Sequence, residues 1–156
     1  MRLNYDDIKT TIKNKELCKE FPFLIPIESV GKEYNYLFTE LDNVSDGWRE
    51  LFLEMCKELK KLLNPSKNFG HLQVKRNGRE VLFYQEPCDK EILKEVGRII
   101  NLYNERIEKT CMFCGAGATY IELNGHRPCC DNCVVYFAKL HKNLPVLDIK
   151  SYLKGE

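Results

Sequence analysis

The spacing of apolar residues along the chain predicts two long amphipathic helices. Over residues 47–63, apolar side chains recur every three or four positions, which is the period of a helix with one buried face. A second such pattern covers 89–108, where Asp89 stands ready to cap the first turn. Trp48, the only tryptophan, begins the buried face of the first helix, so we expect it to anchor the core.

The N-terminal part of the chain has weaker patterns. A thin apolar stripe of Ile8, Ile12 and Leu17 predicts a short helix over 6–19. Pro22 and Pro26 interrupt any helix that follows, so the apolar residues around them predict a non-helical segment lying over the core. Alternating side chains over 34–38 allow a short strand or an extended segment.

A β-hairpin is predicted between the two long helices. Asn77-Gly78 is the preferred dipeptide for a two-residue type I′ turn. Outward from this turn the pairs are Lys75 with Glu80, Val74 with Val81, and Leu72 with Phe83. This register places the apolar residues on one face and a pair of opposite charges on the other, so the turn and the face pattern agree. It also sets Arg76 beside Arg79 at the tip, as a small basic point.

Two pairs of cysteines, each with CxxC spacing, lie in the C-terminal third of the chain, and fifteen residues separate them. Four thiolates at this spacing are typical of a tetrahedral, structural zinc site. We therefore predict that Zn²⁺ is held by Cys111, Cys114, Cys130 and Cys133. Cys129 could replace Cys130 in this set, but Cys130 restores the CxxC spacing and is preferred. His126 is the other candidate ligand, and we expect it to be a surface residue near the end of the hairpin instead.

The zinc segment continues from the second long helix without a flexible linker. A hairpin turning at Asn124-Gly125 and a final helix beginning near Cys130 would give the order of a treble clef, whereas a zinc ribbon would have a second knuckle instead. We predict an α+β fold in which helices pack with a β-hairpin over 1–108. The zinc module and its helix, over 109–156, would dock on this core domain.

Composition mainly excludes classes of function. No apolar run approaches the roughly 18 residues that cross a bilayer, and the first residues lack the apolar region of a signal peptide. We expect a protein of the reducing cytoplasm, with no membrane partner, where paired cysteines bind metal more often than they form disulfides. The formal charge of +1 falls to about −1 with a zinc tetrathiolate, which argues against general polyanion binding.

Motifs for catalysis are missing from the sequence. A hydrolytic zinc needs an open coordination position and a general base, and four thiolates leave no such position. The deaminase pattern is out of phase around Pro128-Cys129, and no HExxH, GxSxG or P-loop is present. A redox or disulfide role for the CxxC pairs is the less favoured alternative. We expect a protein that is not an enzyme.

Several short motifs occur here in a characteristic order: Gly47-Trp48 at a helix start, Leu72-Gln-Val-Lys before Leu82-Phe-Tyr, and CxxCG before CDxC. In this order they resemble a group of small, largely uncharacterised proteins of bacteriophages and gut bacteria that end in a four-cysteine zinc finger. The resemblance covers about residues 16–138. Phe83 and Cys129 depart from the group's pattern, and the resemblance implies zinc ligands but no catalytic residue.

Two functions follow as hypotheses. The resemblance implies a phage or mobile-element protein that docks on a host protein, for example as an inhibitor of a defence system such as CRISPR. The alternative is binding of nucleic acid, with Arg76, Arg79 and Arg127 contacting phosphates and Tyr120 stacking on a base.

Overall fold

The computed structural model describes residues 4–63, 70–85, 89–122, 126–140 and 146–148, with side chains up to Tyr136. Its α-helices are α1 (Tyr5–Glu20), α2 (Arg49–Leu62), α3 (Lys90–Ile107) and α4 (Asp131–Leu140). Its strands are β1 (His71–Lys75), β2 (Glu80–Tyr84), β3 (Tyr120–Glu122), β4 (Arg127–Cys129) and β5 (Val146–Asp148). The α+β prediction is confirmed. Within these ranges no helix is long and apolar enough to cross a membrane.

The main core lies between α2, α3 and the β1–β2 hairpin. Trp48, directly before α2, is completely buried, and its indole Nε1 donates a hydrogen bond to the carbonyl oxygen of Thr110 at 2.9 Å. This bond sets the start of α2 beside the end of α3. Farther along, the rings of Phe52 and Tyr103 meet edge to face with their centroids 5.9 Å apart. The expectation that Trp48 anchors the core is confirmed.

The hairpin has the predicted register, with Lys75 opposite Glu80, Val74 opposite Val81 and Leu72 opposite Phe83. Asn77 and Gly78 have φ angles of 61° and 106°, as a type I′ turn requires. The backbone of Arg76 is also left-handed, with φ of 55°. The strand pairing therefore stops at Lys75 and Glu80, one residue short of the Arg76–Arg79 pair that a two-residue turn would allow. The turn packs against the body, because Gly78 O accepts a hydrogen bond from Tyr103 Oη at 2.8 Å and Asn77 O accepts one from the amide of Ser45 at 3.0 Å.

The first helix forms as predicted, but of its apolar stripe only Leu17 packs against the core. Ile8 and Ile12 are 46% and 61% exposed, whereas Asn14 and Cys18 are buried. Asn14 and Cys18 are four residues apart and therefore share one face of the helix. Asn14 tolerates burial because its amide donates a hydrogen bond to the carbonyl oxygen of Tyr36 at 2.8 Å.

The segment after α1 is non-α-helical and buried, as expected. It forms short 3₁₀ turns at Pro22–Leu24 and Ile27–Ser29, and Phe21 and Phe23 enter the core. Residues 34–38 form no strand and contain a bend at Tyr36 and Leu37, so the short strand allowed there is absent. Tyr36 there has φ of 60°, a left-handed value that breaks an extended chain.

Candidate metal centre

Four cysteine side chains converge at the junction of the zinc segment with α4. The sulfurs of Cys111, Cys114, Cys130 and Cys133 all lie within 4.8 Å of one another. Zinc–sulfur bonds of about 2.3 Å in a tetrahedron require sulfur atoms about 3.8 Å apart. The sulfurs of Cys114 and Cys130 are 3.5 Å apart, too far for a disulfide and suitable for a shared ion. The four residues therefore lie close enough to hold a metal ion, and their donor atoms suit zinc.

The first cysteine pair lies in a tight loop, residues 111–115, which we call the knuckle. The amide of Gly115 donates a hydrogen bond to the carbonyl oxygen of Cys111 at 3.0 Å. The amide of Cys111 donates one to the carbonyl oxygen of Ala116 at 2.7 Å. Gly115 has φ of 84°, a conformation that glycine adopts without steric cost. The glycine after the second cysteine thus lets the chain reverse and present both sulfurs to one point.

The second pair stands at the start of α4. The amide of Cys133 donates a hydrogen bond to the sulfur of Cys130 at 3.4 Å. The amide of Val134 donates one to the carbonyl oxygen of Cys130 at 3.0 Å. The hydrogen bond from the Cys133 amide lowers the pKa of the Cys130 thiol to about 7, whereas burial raises the pKa of Cys133. A helix start therefore helps to hold Cys130 as the thiolate that a metal needs.

Cys129 is buried next to this centre but does not belong to the cluster. It is the last residue of β4, and its thiol donates to the carbonyl oxygen of Arg127 at 3.4 Å. Burial raises the pKa of the Cys129 thiol to about 11. The geometry thus places Cys130, and not Cys129, with the other three sulfurs.

Around the cysteines, the knuckle is followed by the β3–β4 hairpin and then by α4, in the order expected of a treble clef. The predicted turn at Asn124-Gly125 lies outside the described residues. Sequence reasoning missed β5, which pairs antiparallel with β3 on the side away from β4. This strand is only three residues long, too short for its alternation to be recognised.

The knuckle is held on the core domain by backbone contacts. The amide of Gly47 donates to the carbonyl oxygen of Met112 at 3.0 Å, and the Met112 side chain enters the main core. A β-carbon at Gly47 would lie 2.1 Å from the carbonyl oxygen of Cys111. Glycine is therefore required at position 47 for the knuckle to approach so closely.

The four residues predicted to contact nucleic acid have different environments. The guanidinium carbon of Arg79 lies 5.4 Å from the centre of the Trp48 ring. Arg127 donates from Nε to Glu122 at 2.7 Å, and Glu122 is only 1% exposed. Tyr120 is half-buried on the central strand β3. Arg76 is exposed. Two of the three arginines are therefore already engaged within the molecule.

Two clefts elsewhere on the surface were not predicted from the sequence. One, of about 560 Å³, lies where the 42–46 loop meets the hairpin turn and the knuckle, and Lys75 and Arg76 line it. The other, of about 600 Å³, lies between α2 and α3. We call the second cleft the α2–α3 groove.

Comparison of the chain with protein-family models, curated proteins and solved structures finds no match. The functional argument therefore depends on the cysteine cluster and on the surface of the molecule.

Proposed function

We propose that this chain is a non-enzymatic zinc protein that acts by docking on another protein. The cysteine cluster supports metal binding. The observation that carries the docking proposal is the α2–α3 groove, because it combines an apolar floor with charged walls. Grooves of this kind are a recurrent means of recognising a helical segment of a partner.

The floor of the groove is formed by Leu51, Met55, Ile99, Leu102 and Tyr103. Leu102 is 50% exposed, a large share for a leucine in the middle of a long helix. Polar and charged side chains surround this floor on α2 and α3. Apolar surface that is concave and bordered by charge is characteristic of interaction sites, whereas isolated exposed apolar residues are common everywhere.

In this proposal the metal has a structural role. Zn²⁺ bound by Cys111, Cys114, Cys130 and Cys133 would cross-link the knuckle to α4 and leave no coordination position for a substrate. The knuckle in turn contacts Gly47, two residues before α2 begins. The metal would thus stabilise the part of the molecule from which one wall of the groove starts.

We propose that this chain is encoded by a phage or mobile element and that it binds a protein of the host. Support for this part of the proposal comes from the sequence resemblance described above, and inhibition of a defence system such as CRISPR belongs to the same expectation.

The docking proposal can be tested with a photo-crosslinking amino acid at position 102 in the full-length, zinc-loaded protein. Asn101 is the matched control, because it is exposed on the same helix and does not line the groove. We expect a defined protein to be captured from position 102 and not from position 101. With that protein purified, Leu102→Glu should abolish binding and Asn101→Glu should not. Equal capture at both positions, or full binding by Leu102→Glu, would refute docking through the groove.

Nucleic-acid binding is the second candidate, and the exposed Arg76 beside Lys75 in the cleft near the knuckle is the observation that favours it. A salt titration against single-stranded and duplex DNA tests it. Binding that persists at 200 mM salt and is lost in Arg76→Ala would support this candidate over the first, because nonspecific phosphate contacts weaken steeply with salt.

A further inference from the structure

We infer that the α2–α3 groove accepts an amphipathic helix of the partner protein whose polar edges are acidic. This inference rests on the proposed docking function and adds to it the chemistry of the partner segment. It follows from the length of the groove and from the charges along its two walls.

The length of the groove suits between two and three turns of helix. On α2 its lining residues extend from Leu51 to Lys61, and on α3 from Arg98 to Arg106. At 1.5 Å per residue these spans are about 15 Å and 12 Å. A helix that presents apolar side chains at positions i, i+3 or i+4, and i+7 has a stripe of this length and would place it on Leu102 and the floor.

The charges on the walls leave a positive surplus. The lining residues include four cations, Lys57, Lys61, Arg98 and Arg106, and two carboxylates, Glu54 and Glu58. The carboxylates are already paired, Glu54 with Arg106 at 2.5 Å and Glu58 with Lys61 at 2.9 Å.

Of the two remaining cations, Lys57 is unpaired among the described residues, and Arg98 is paired only with a carboxylate outside the groove. Arg98 on α3 pairs with Glu95, which does not line the groove. Lys57 on α2 is exposed, and among the described residues it has no ion pair. A helix with carboxylates along both edges of its apolar stripe would meet a cation on either side.

A second copy of this chain is a less suitable occupant. Its α1 presents an exposed stripe of Tyr5, Ile8 and Ile12, which has the spacing that the groove accepts. Lys9, Lys15 and Glu16 border this stripe on the helix surface, with a net charge of +1. A second copy would therefore bring one net positive charge and no acidic edge to the walls of the groove, so charge favours an acidic partner over self-association.

The inference can be tested by titrating the ¹⁵N-labelled, zinc-loaded full chain with synthetic helical peptides and recording amide shifts. The first peptide, of about 14 residues, carries four leucines at the stripe positions and glutamates along both edges. The second has lysines in place of the glutamates, and the third has alanines in place of the leucines. We expect the first to shift amides along the α2–α3 groove and to bind about tenfold more tightly than the second. The third should not bind.

Charge reversal on the walls supplies the control. Lys57→Glu/Arg98→Glu should remove the preference for the acidic peptide. Lys13→Glu/Lys94→Glu changes the net charge equally at exposed positions outside the groove and should preserve the preference.

Three results would overturn the inference. In the first, the lysine peptide binds as tightly as the glutamate peptide. In the second, the glutamate peptide shifts amides only on another surface of the protein. In the third, amides of the groove shift with protein concentration in the absence of peptide, which would indicate that a second copy of the chain occupies the groove. If the acidic peptide fails while position 102 still captures a protein, docking stands and only the partner chemistry is wrong.

Discussion

The contact between the knuckle and the core domain can be tested by adding a single methyl group. In Gly47→Ala the new β-carbon would lie 2.1 Å from the carbonyl oxygen of Cys111, 2.7 Å from the carbonyl carbon of Met112 and 2.8 Å from the amide nitrogen of Gly115. All three are backbone atoms, so no side-chain rotation relieves the overlap. The knuckle must move away from the core domain or the residues before α2 must shift.

The cost follows from what this movement breaks. Overpacking at a closely packed site costs about 1–3 kcal/mol. Separation would also weaken the hydrogen bond from the Gly47 amide to Met112 and the bond from the Trp48 indole to Thr110, at about 1 kcal/mol each. We therefore expect Gly47→Ala to lower the free energy of unfolding by about 2–4 kcal/mol and the melting temperature by about 10 °C.

Urea unfolding and chelator competition for zinc provide the two measurements. Gly97→Ala is the matched control, because Gly97 lies within α3 and a β-carbon there meets nothing within 4 Å. Alanine exceeds glycine in helix propensity, so this control should gain up to about 1 kcal/mol. If Gly47→Ala unfolds at the wild-type urea concentration and keeps its zinc affinity, the knuckle does not dock on Gly47 as described.

Three other predictions concern single side chains. Cys130→Ser should lose zinc and unfold at lower temperature, whereas Cys129→Ser should keep its zinc, as measured by metal content after desalting. Glu40 is buried, and its carboxylate accepts a hydrogen bond from the amide of Val74. Burial raises the pKa of this carboxyl group above its ordinary value of 4.5. Ionisation of Glu40 therefore lowers the free energy of unfolding as the pH rises above 4.5. Glu40→Gln should therefore unfold at a higher urea concentration than the wild type at pH 7. The difference between the two urea midpoints should become smaller toward pH 5. Ile12→Lys should change the unfolding free energy by less than about 0.5 kcal/mol, because Ile12 is 61% exposed.

The elements that the sequence predicts correctly are those specified by neighbouring residues. The long helices α2 and α3 show their period within their own sequence, and Asp89 caps α3 by accepting hydrogen bonds from two amides of its first turn. The β1–β2 register follows from Asn77-Gly78 and from the face pattern beside it. The cysteine cluster is predictable for the same reason, since each CxxC pair lies within one short turn.

The features that the sequence does not predict depend on distant partners. Asn14 is buried because a carbonyl group 22 residues away accepts its hydrogen bond, and no local pattern indicates that partner. The α2–α3 groove is likewise invisible in the sequence, where Lys57 and Arg98 resemble ordinary solvated charges and Leu102 resembles one more residue of an apolar stripe. Only the packing of the two helices shows that Leu102 stays half exposed between those charges.

The candidate zinc centre and the groove share no residue, but a continuous chain of contacts connects them. Metal bound by four sulfurs would fix the knuckle, the knuckle contacts Gly47, and Trp48 bonds to the end of α3. From there Phe52 reaches Tyr103, which lies in the floor of the groove. Every step in this path is a packed or hydrogen-bonded contact, so removal of the metal would act on the groove by loosening the start of α2. In the proposed docking function, a closed tetrathiolate site would therefore affect binding through the rigidity of the groove.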